Sequence, residues 1–406
     1  MSEPEVSAAE NDPAVPFDKL PEERPGTAAS VKAEMEGVSR YVNIDDLKKA
    51  NKLKNQGVRF ALPRHTLPGV VLRMRPLNSS IMAVAQGQHQ TEVRQSLGLK
   101  TRQSLPHEGQ IELNSRLIKS SLLEWCEGEA DIEGAVRAAK LKNSGVRFAF
   151  PRNVFPGVVI RVRPLSHPYI GLVRSEVVKR LKNSLGGGEL PPEAEIEVNR
   201  SIVEASILEW VAGDVKVGGS NFNLIGRSRT EVRAWFRANF FPAPDLRERP
   251  PRNEDERNAY FEAMFADLNN DMLEEVLRSH EMIRTADPQE ILARGEGFTV
   301  GADWDYEGDA RYEPGEMVSW KGKEPKELRR LFGESFLPPV DLKSRAPRAP
   351  EEREKHYEQA FAPFNNEILN ELLEGQDMIR AADPEDVLEK GSAFTVGAQD
   401  STDSNG

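Results

Sequence analysis

The chain has 406 residues, with 66 Asp and Glu against 54 Lys and Arg, a net charge of −12 and 38% hydrophobic residues. That length allows roughly two to four domains, and the apolar runs, only a few residues each, exclude a membrane-spanning helix. The single cysteine, Cys126, excludes an internal disulfide, argues against a cysteine-based metal site and fits a reducing, cytoplasmic setting.

Residues 1–44 form an acidic, proline-bearing stretch with neither a basic n-region nor an apolar h-region. They read as a disordered tail rather than a secretory signal. Charge is uneven beyond it: residues 1–44 carry about −5, residues 45–213 about +8 and residues 214–406 about −15. Such a split argues against nucleic-acid coating by the whole chain and suggests halves with different partners, or halves that touch.

From Leu53 to Leu77 the sequence repeats at Leu141 to Leu165, identical at 18 of 25 positions, 88 residues on. The likeness resumes at IELNSRLIKSSLLEWCEG and IEVNRSIVEASILEWVAG. These are units A (45–130) and A′ (131–213). In each, GVRFALPR and GVRFAFPR alternate apolar and polar residues, a Pro-Gly pair follows, and VVLRMRP or VVIRVRP alternates again. That pattern predicts a hairpin with one greasy face and one arginine-lined face. Helical spacing then predicts two helices covering the greasy face, the second running on through Trp125 or Trp210. The expected unit is a ββαα module.

Residues Phe236 to Ala302 repeat at Phe332 to Ala398 without a gap, identical at 31 of 67 positions. These lie in units B (214–302) and B′ (303–398, with its linker). Each predicts two amphipathic helices joined at an Asn pair, then a short helix begun by Asp287-Pro288 or Asp383-Pro384 and ended by Gly295 or Gly391. Residues 399–406 read as a second disordered tail. The fold class expected is α+β: two duplicated ββαα modules followed by two duplicated, mostly helical modules.

The chemistry-bearing motifs fail on inspection. Gly186–Gly188 lack the Lys-Ser/Thr of a phosphate loop. The six histidines form no zinc pair and read as surface residues, and the acidic run from Asp303 has Pro314 where a calcium loop needs glutamate. No catalytic, cofactor-binding or metal residue is assigned. The remaining candidates are Arg59, Arg73 and Arg75 with their counterparts Arg147, Arg161 and Arg163, a basic strand face suited to an acidic partner. Stacking aromatics are scarce beside them, which argues against nucleic acid. Trp125 and Trp210, each followed at the third position by glycine, read as core anchors.

Taken in order, a strand, a Leu-Pro-Gly turn, a strand ending in Arg-Pro-Leu, two helices and a closing Glu-Trp-x-x-Gly resemble the small tail assembly chaperones of tailed bacteriophages. The resemblance covers about residues 53–128 and 141–213. It implies a cytoplasmic, non-enzymatic protein that binds the tape measure protein during tail formation and is absent from the finished virion. The arginine faces would then be client-binding surfaces, and self-association is open. The alternatives are a structural virion or appendage subunit, or a multivalent protein-interaction adaptor, with a nucleic-acid-binding protein or an enzyme behind them.

Overall fold

The computed structural model describes residues 43–100, 103–185, 190–217, 219–244, 251, 253–301, 311–341, 346–347 and 349–397. The disorder expected of residues 1–44 and 399–406 falls, save for Asn43 and Ile44, outside that set. By contacts the chain divides into Met1–Lys48 and Lys49–Gly406. The Asn43 side chain accepts the Asp45 N–H at 3.0 Å and starts helix α1 (Ile44–Gln56).

The second unit continues with strands β1 (Val58–Ala61) and β2 (Val71–Met74), helices α2 (Ser80–Ser96) and α3 (His107–Ser121), and strands β3 (Leu122–Glu127) and β4 (Ala130–Asp131). Helix α4 (Ile132–Ser144), strands β5 (Val146–Ala149) and β6 (Val159–Val162), helices α5 (Pro168–Ser184) and α6 (Pro192–Ser206) and strand β7 (Ile207–Ala212) follow. A small hairpin comes next, β8 (Val215–Val217) with β9 (Ser220–Phe222). The acidic half then gives α7 (Arg229–Asn239), α8 (Glu254–Phe265), α9 (Asn270–Thr285), α10 (Pro288–Arg294) and β10 (Thr299–Gly301). It ends with β11 (Met317–Val318), α11 (Pro325–Ser335), α12 (Pro350–Phe361), α13 (Asn366–Ala381), α14 (Pro384–Lys390) and β12 (Thr395–Gly397). The architecture is mixed α and β, as the α+β expectation requires.

Both hairpins form where the alternation places them. Val58, Phe60, Leu72 and Met74 are buried, as are Val146, Phe148, Ile160 and Val162. Side chains two apart share a face of a strand, so one strand pair can face a core and keep its arginines outside it. In the acidic half the Asn269 and Asn365 side chains accept the Met272 and Ile368 N–H groups at 2.9 and 3.0 Å. Asp287 and Asp383 cap the short helices in the same way, each at 2.8 Å.

The tryptophan-bearing segments differ from the expectation. They are strands, and the helices before them stop at Ser121 and Ser206, whose hydroxyls donate back to Ile118 and Val203 carbonyls at 2.7 Å. Leu122 and Ile207 then turn extended. Strand β3 pairs with β2 as Met74↔Leu122, Arg73↔Glu124, Leu72↔Trp125 and Val71↔Glu127, with two register shifts. Those bulges place Leu122 and Trp125 inward at a spacing of three, which imitates a helix in the sequence. Gly128 explains the end of the motif. Its φ is +87°, and a Cβ there would lie 2.2 Å from the Gly69 carbonyl oxygen. The Trp125 indole donates to its carbonyl at 2.8 Å, and Gly213 with Trp210 repeats the arrangement at 2.9 Å.

The closing Phe-Thr-Val-Gly segments are the second departure, because each supplies a strand to the distant half. One sheet runs β12-β1-β2-β3 and the other β10-β5-β6-β7. Strand β12 lies parallel to β1 (Phe60↔Val396), and β10 lies parallel to β5 (Phe148↔Val300). Unit A is therefore completed by B′ and unit A′ by B, the outer pair enclosing the inner one in sequence. The cores follow this nesting. One gathers Phe60, Leu72, Trp125, Phe332, Phe361 and Phe364, and the other Phe148, Ile160, Trp210, Phe236, Phe241 and Met272. Each such side chain contributes about 1.5–3 kcal/mol on burial, so neither half of a pair has a full core without the other.

Candidate functional site

The six candidate arginines do not form one open stripe. In the first sheet Arg59 stands opposite Arg73, and Arg73 stands opposite Glu124. Arg73 pairs with Glu124 at 3.4 Å and Arg59 pairs with Glu127. In the second sheet Arg147 stands opposite Arg161, which pairs with Glu209 at 3.2 Å. Ala212 occupies the place of Glu127 in the second register, so Arg147 has no ion-pair partner among the described residues. The strand face is thus largely neutralised by its own third strand, which reading that segment as helix had concealed.

Arg163 has a different setting. It is fully buried, and its guanidinium donates to Glu354 at 2.9 Å and to Glu358, both on α12. Arg229 and Arg233 on α7 converge on the same carboxylates: Arg229 reaches Glu354 at 2.6 Å and Glu358 at 2.9 Å, and Arg233 makes two bonds to Glu354 at 2.9 Å. The Tyr169 ring lies under Arg163 at 5.0 Å. Burial pushes the Glu354 carboxyl up, but hydrogen bonds from Arg233 and the charges of Arg233, Arg163 and Arg229 outweigh it, holding its pKa at about 2. A carboxylate so held is an anchor rather than a proton carrier. Arg75, the counterpart of Arg163, has no ion pair among the described residues, and its positive charge helps depress the pKa of Arg329, after burial.

A second seam joins the other three units to α13 of B′. Lys142 donates to Glu367 at 2.6 Å, Arg284 to Glu371 at 2.6 Å, and His65 bonds Glu371 at 2.9 Å. Burial pushes Glu367 up while Lys142 pulls it down, and the net direction is up.

The histidines correct the expectation of surface placement. His167 is buried and caps α5, accepting the Tyr169 N–H at 3.1 Å. His280 is 5% exposed with neither ring nitrogen hydrogen-bonded among the described residues, and burial lowers its pKa to about 3. Its counterpart Gln376 accepts the Leu77 N–H at 2.9 Å and donates to the Arg75 carbonyl at 3.2 Å. A glutamine fits a slot between two backbone groups that the ring in the sister unit does not satisfy.

Among the described residues no three His, Cys, Asp or Glu side chains are grouped to hold a metal, and no helix is long and apolar enough to cross a membrane. The Gly186–Gly188 loop and the acidic run from Asp303 to Ala310 lie outside those residues. Compared with protein-family models, curated proteins and solved structures, the chain finds no match.

Proposed function

We propose that the chain is a non-enzymatic phage morphogenesis protein, a tail assembly chaperone that binds the tape measure protein in the host cytoplasm while the tail forms. The observation that carries this reading is the module found in both A and A′: the hairpin turned at Leu67-Pro68-Gly69 or Phe155-Pro156-Gly157, its two covering helices and the Glu-Trp-x-x-Gly closure. The reading includes duplication of that module and of the helical one. It is supported by hairpin registers that match at the repeat offset, Arg59↔Arg73 against Arg147↔Arg161. It is supported too by how each module meets its partner, since the edge strand and apolar face of A receive a strand and helices from B′. Adding a strand to a sheet edge, as B′ does here to A within one chain, is a recurrent way of binding protein.

The test is to co-express the chain with the long helical tape measure protein of its phage, and to search purified particles for it by mass spectrometry. Co-purification with the client and absence from finished particles support the chaperone. A stoichiometric presence in particles would replace it with the structural-subunit reading, and capture of neither would remove both.

A further inference from the structure

The nested pairs A–B′ and A′–B meet at one junction, and the junction has two unlike sides. Its cationic side belongs to A′–B: Lys142, Asn143, Arg163 and Tyr169, with Arg233 and Arg284. Its acidic side is the α12–α13 helical hairpin of B′: Glu354, Tyr357, Glu358, Phe361, Glu367 and Glu371. Lys142 bonds Glu367 at 2.6 Å, Arg284 bonds Glu371 at 2.6 Å, and Asn143 donates to the Phe364 carbonyl at 2.9 Å. Tyr169 lies against Tyr357 with centroids 6.5 Å apart.

Each side has a sister elsewhere in the chain. Moving the cationic side back by 88 residues in A, or forward by 96 in B′, gives Lys54, Asn55, Arg75, Ile81, Arg329 and Arg380. Moving the acidic side back by 96 gives Asn258, Phe261, Glu262, Phe265, Asp271 and Glu275 on α8 and α9. Cations remain cations, and all but one of the acids and both aromatics keep their kind.

Neither sister side is covered as its counterpart is. Ile81 is 59% exposed where Tyr169 is 7%, and Val84 beside it is 63% exposed. Helix α8 has no buried residue, whereas α12 buries Glu354, Tyr357 and Phe361. Asp271 is exposed and Glu367 buried. At the foot of α2 a polar cavity of about 260 Å³, lined by Lys54, Asn55, Ser80 and Arg380 among others, opens in the region equivalent to the one α13 fills at the junction. Arg329 donates to the Leu122 carbonyl at 2.9 Å and feels the charge of Arg75, and no described carboxylate pairs with either. Their counterparts Arg163 and Arg233 have Glu354.

We propose that a second copy of this chain fills this face, its α8–α9 hairpin docking on the first copy's α2 face as α12–α13 docks on α5 within one chain. Lys54 then meets Asp271, Arg380 meets Glu275, Arg75 and Arg329 meet Glu262, and Ile81 with Val84 covers Phe261 and Phe265. The two faces are unlike, so the contact is head-to-tail and repeats from copy to copy, closing as a ring or extending as a filament. Asn258 in place of Glu354 and Pro325 in place of Arg229 remove ion pairs from the contact between copies, which makes it weaker than the internal one and reversible. This proposal stands on the repeats and does not depend on the chaperone reading.

The test is sedimentation of the full chain over a range of concentrations, with two variants. Ile81→Asp blocks one face and Phe261→Asp the other. Wild type is expected to show a concentration-dependent series of species and each variant a monomer, while an equimolar mixture of the two forms a dimer and stops there. The charge pair gives a second route: Asp271 is exposed, while Lys54 is half-buried and donates to the Ala382 carbonyl at 2.6 Å, so each variant's fold is checked by its urea midpoint. Asp271→Lys should weaken association by at least about tenfold, and adding Lys54→Glu in the same chain should restore it. A wild type that stays monomeric throughout overturns the proposal. So does a mixture that fails to dimerise, a series lost in only one of the two variants, or cross-linking that joins the α2 face to residues 1–42 of its own chain or to a different protein.

Discussion

Replacing Glu354 by glutamine keeps the shape of the side chain and removes the charge that Arg163, Arg229 and Arg233 share. The carboxyl is held at about 2 against an ordinary 4.5, and at about 1.4 kcal/mol per unit this amounts to about 3 kcal/mol of stability. Breaking one partner of a buried ion pair costs about 3–5 kcal/mol, in the same range. The sign follows from a depressed folded-state pKa: the stabilisation is complete above 4.5 and disappears as pH falls from there to about 2. Urea titrations of wild type and Glu354→Gln, followed by tryptophan fluorescence, should therefore differ by about 3 kcal/mol at neutral pH and converge near pH 2. A gap that is absent at neutral pH, or that persists unchanged in acid, would refute the reasoning.

His280→Gln should stabilise the chain in acid. Wild-type His280 must stay neutral, so its contribution is intact above 6.5 and is lost as pH falls towards about 3; a urea midpoint that declines equally in both proteins across that window would contradict this. Gly128→Ala forces a side chain onto a φ of +87° and against the Gly69 carbonyl, and should lower stability by at least about 2 kcal/mol in thermal melts. Gly375→Ala places a Cβ 2.8 Å from the Phe60 ring and should loosen the join between A and B′ by about 1–3 kcal/mol, read as faster amide exchange in β12.

Much of the local structure was legible because it is driven by local chemistry. Alternation around Phe60 and Phe148 marked the hairpins, and Asn269, Asp287 and their sisters marked helix starts, since capping needs only one side chain and the next turn. Two features escaped. The spacing of Leu122 and Trp125 is created by bulges against β2, a partner that helical periodicity cannot register. Thr299–Gly301 and Thr395–Gly397 are too short to signal a strand alone and become strands only on the edge of a distant hairpin. Arginine placement illustrates the same limit. The repeat showed that Arg75 and Arg163 are equivalent in sequence, yet Arg163 is buried against Glu354 while Arg75 pairs with no carboxylate among the described residues, because only Arg163 meets the α12 helix.

The nested pairing of A with B′ and of A′ with B is the claim on which the rest stands, and paired cysteines test it directly. In a Cys126→Ser background, Arg59→Cys with Thr395→Cys and Arg147→Cys with Thr299→Cys place thiols on residues that are register partners. The crossed pairs, 59 with 299 and 147 with 395, serve as controls. Mild oxidation of the monomer should close the first two as intrachain disulfides and leave the crossed pairs reduced. Closure of the crossed pairs in place of the nested ones would contradict the account.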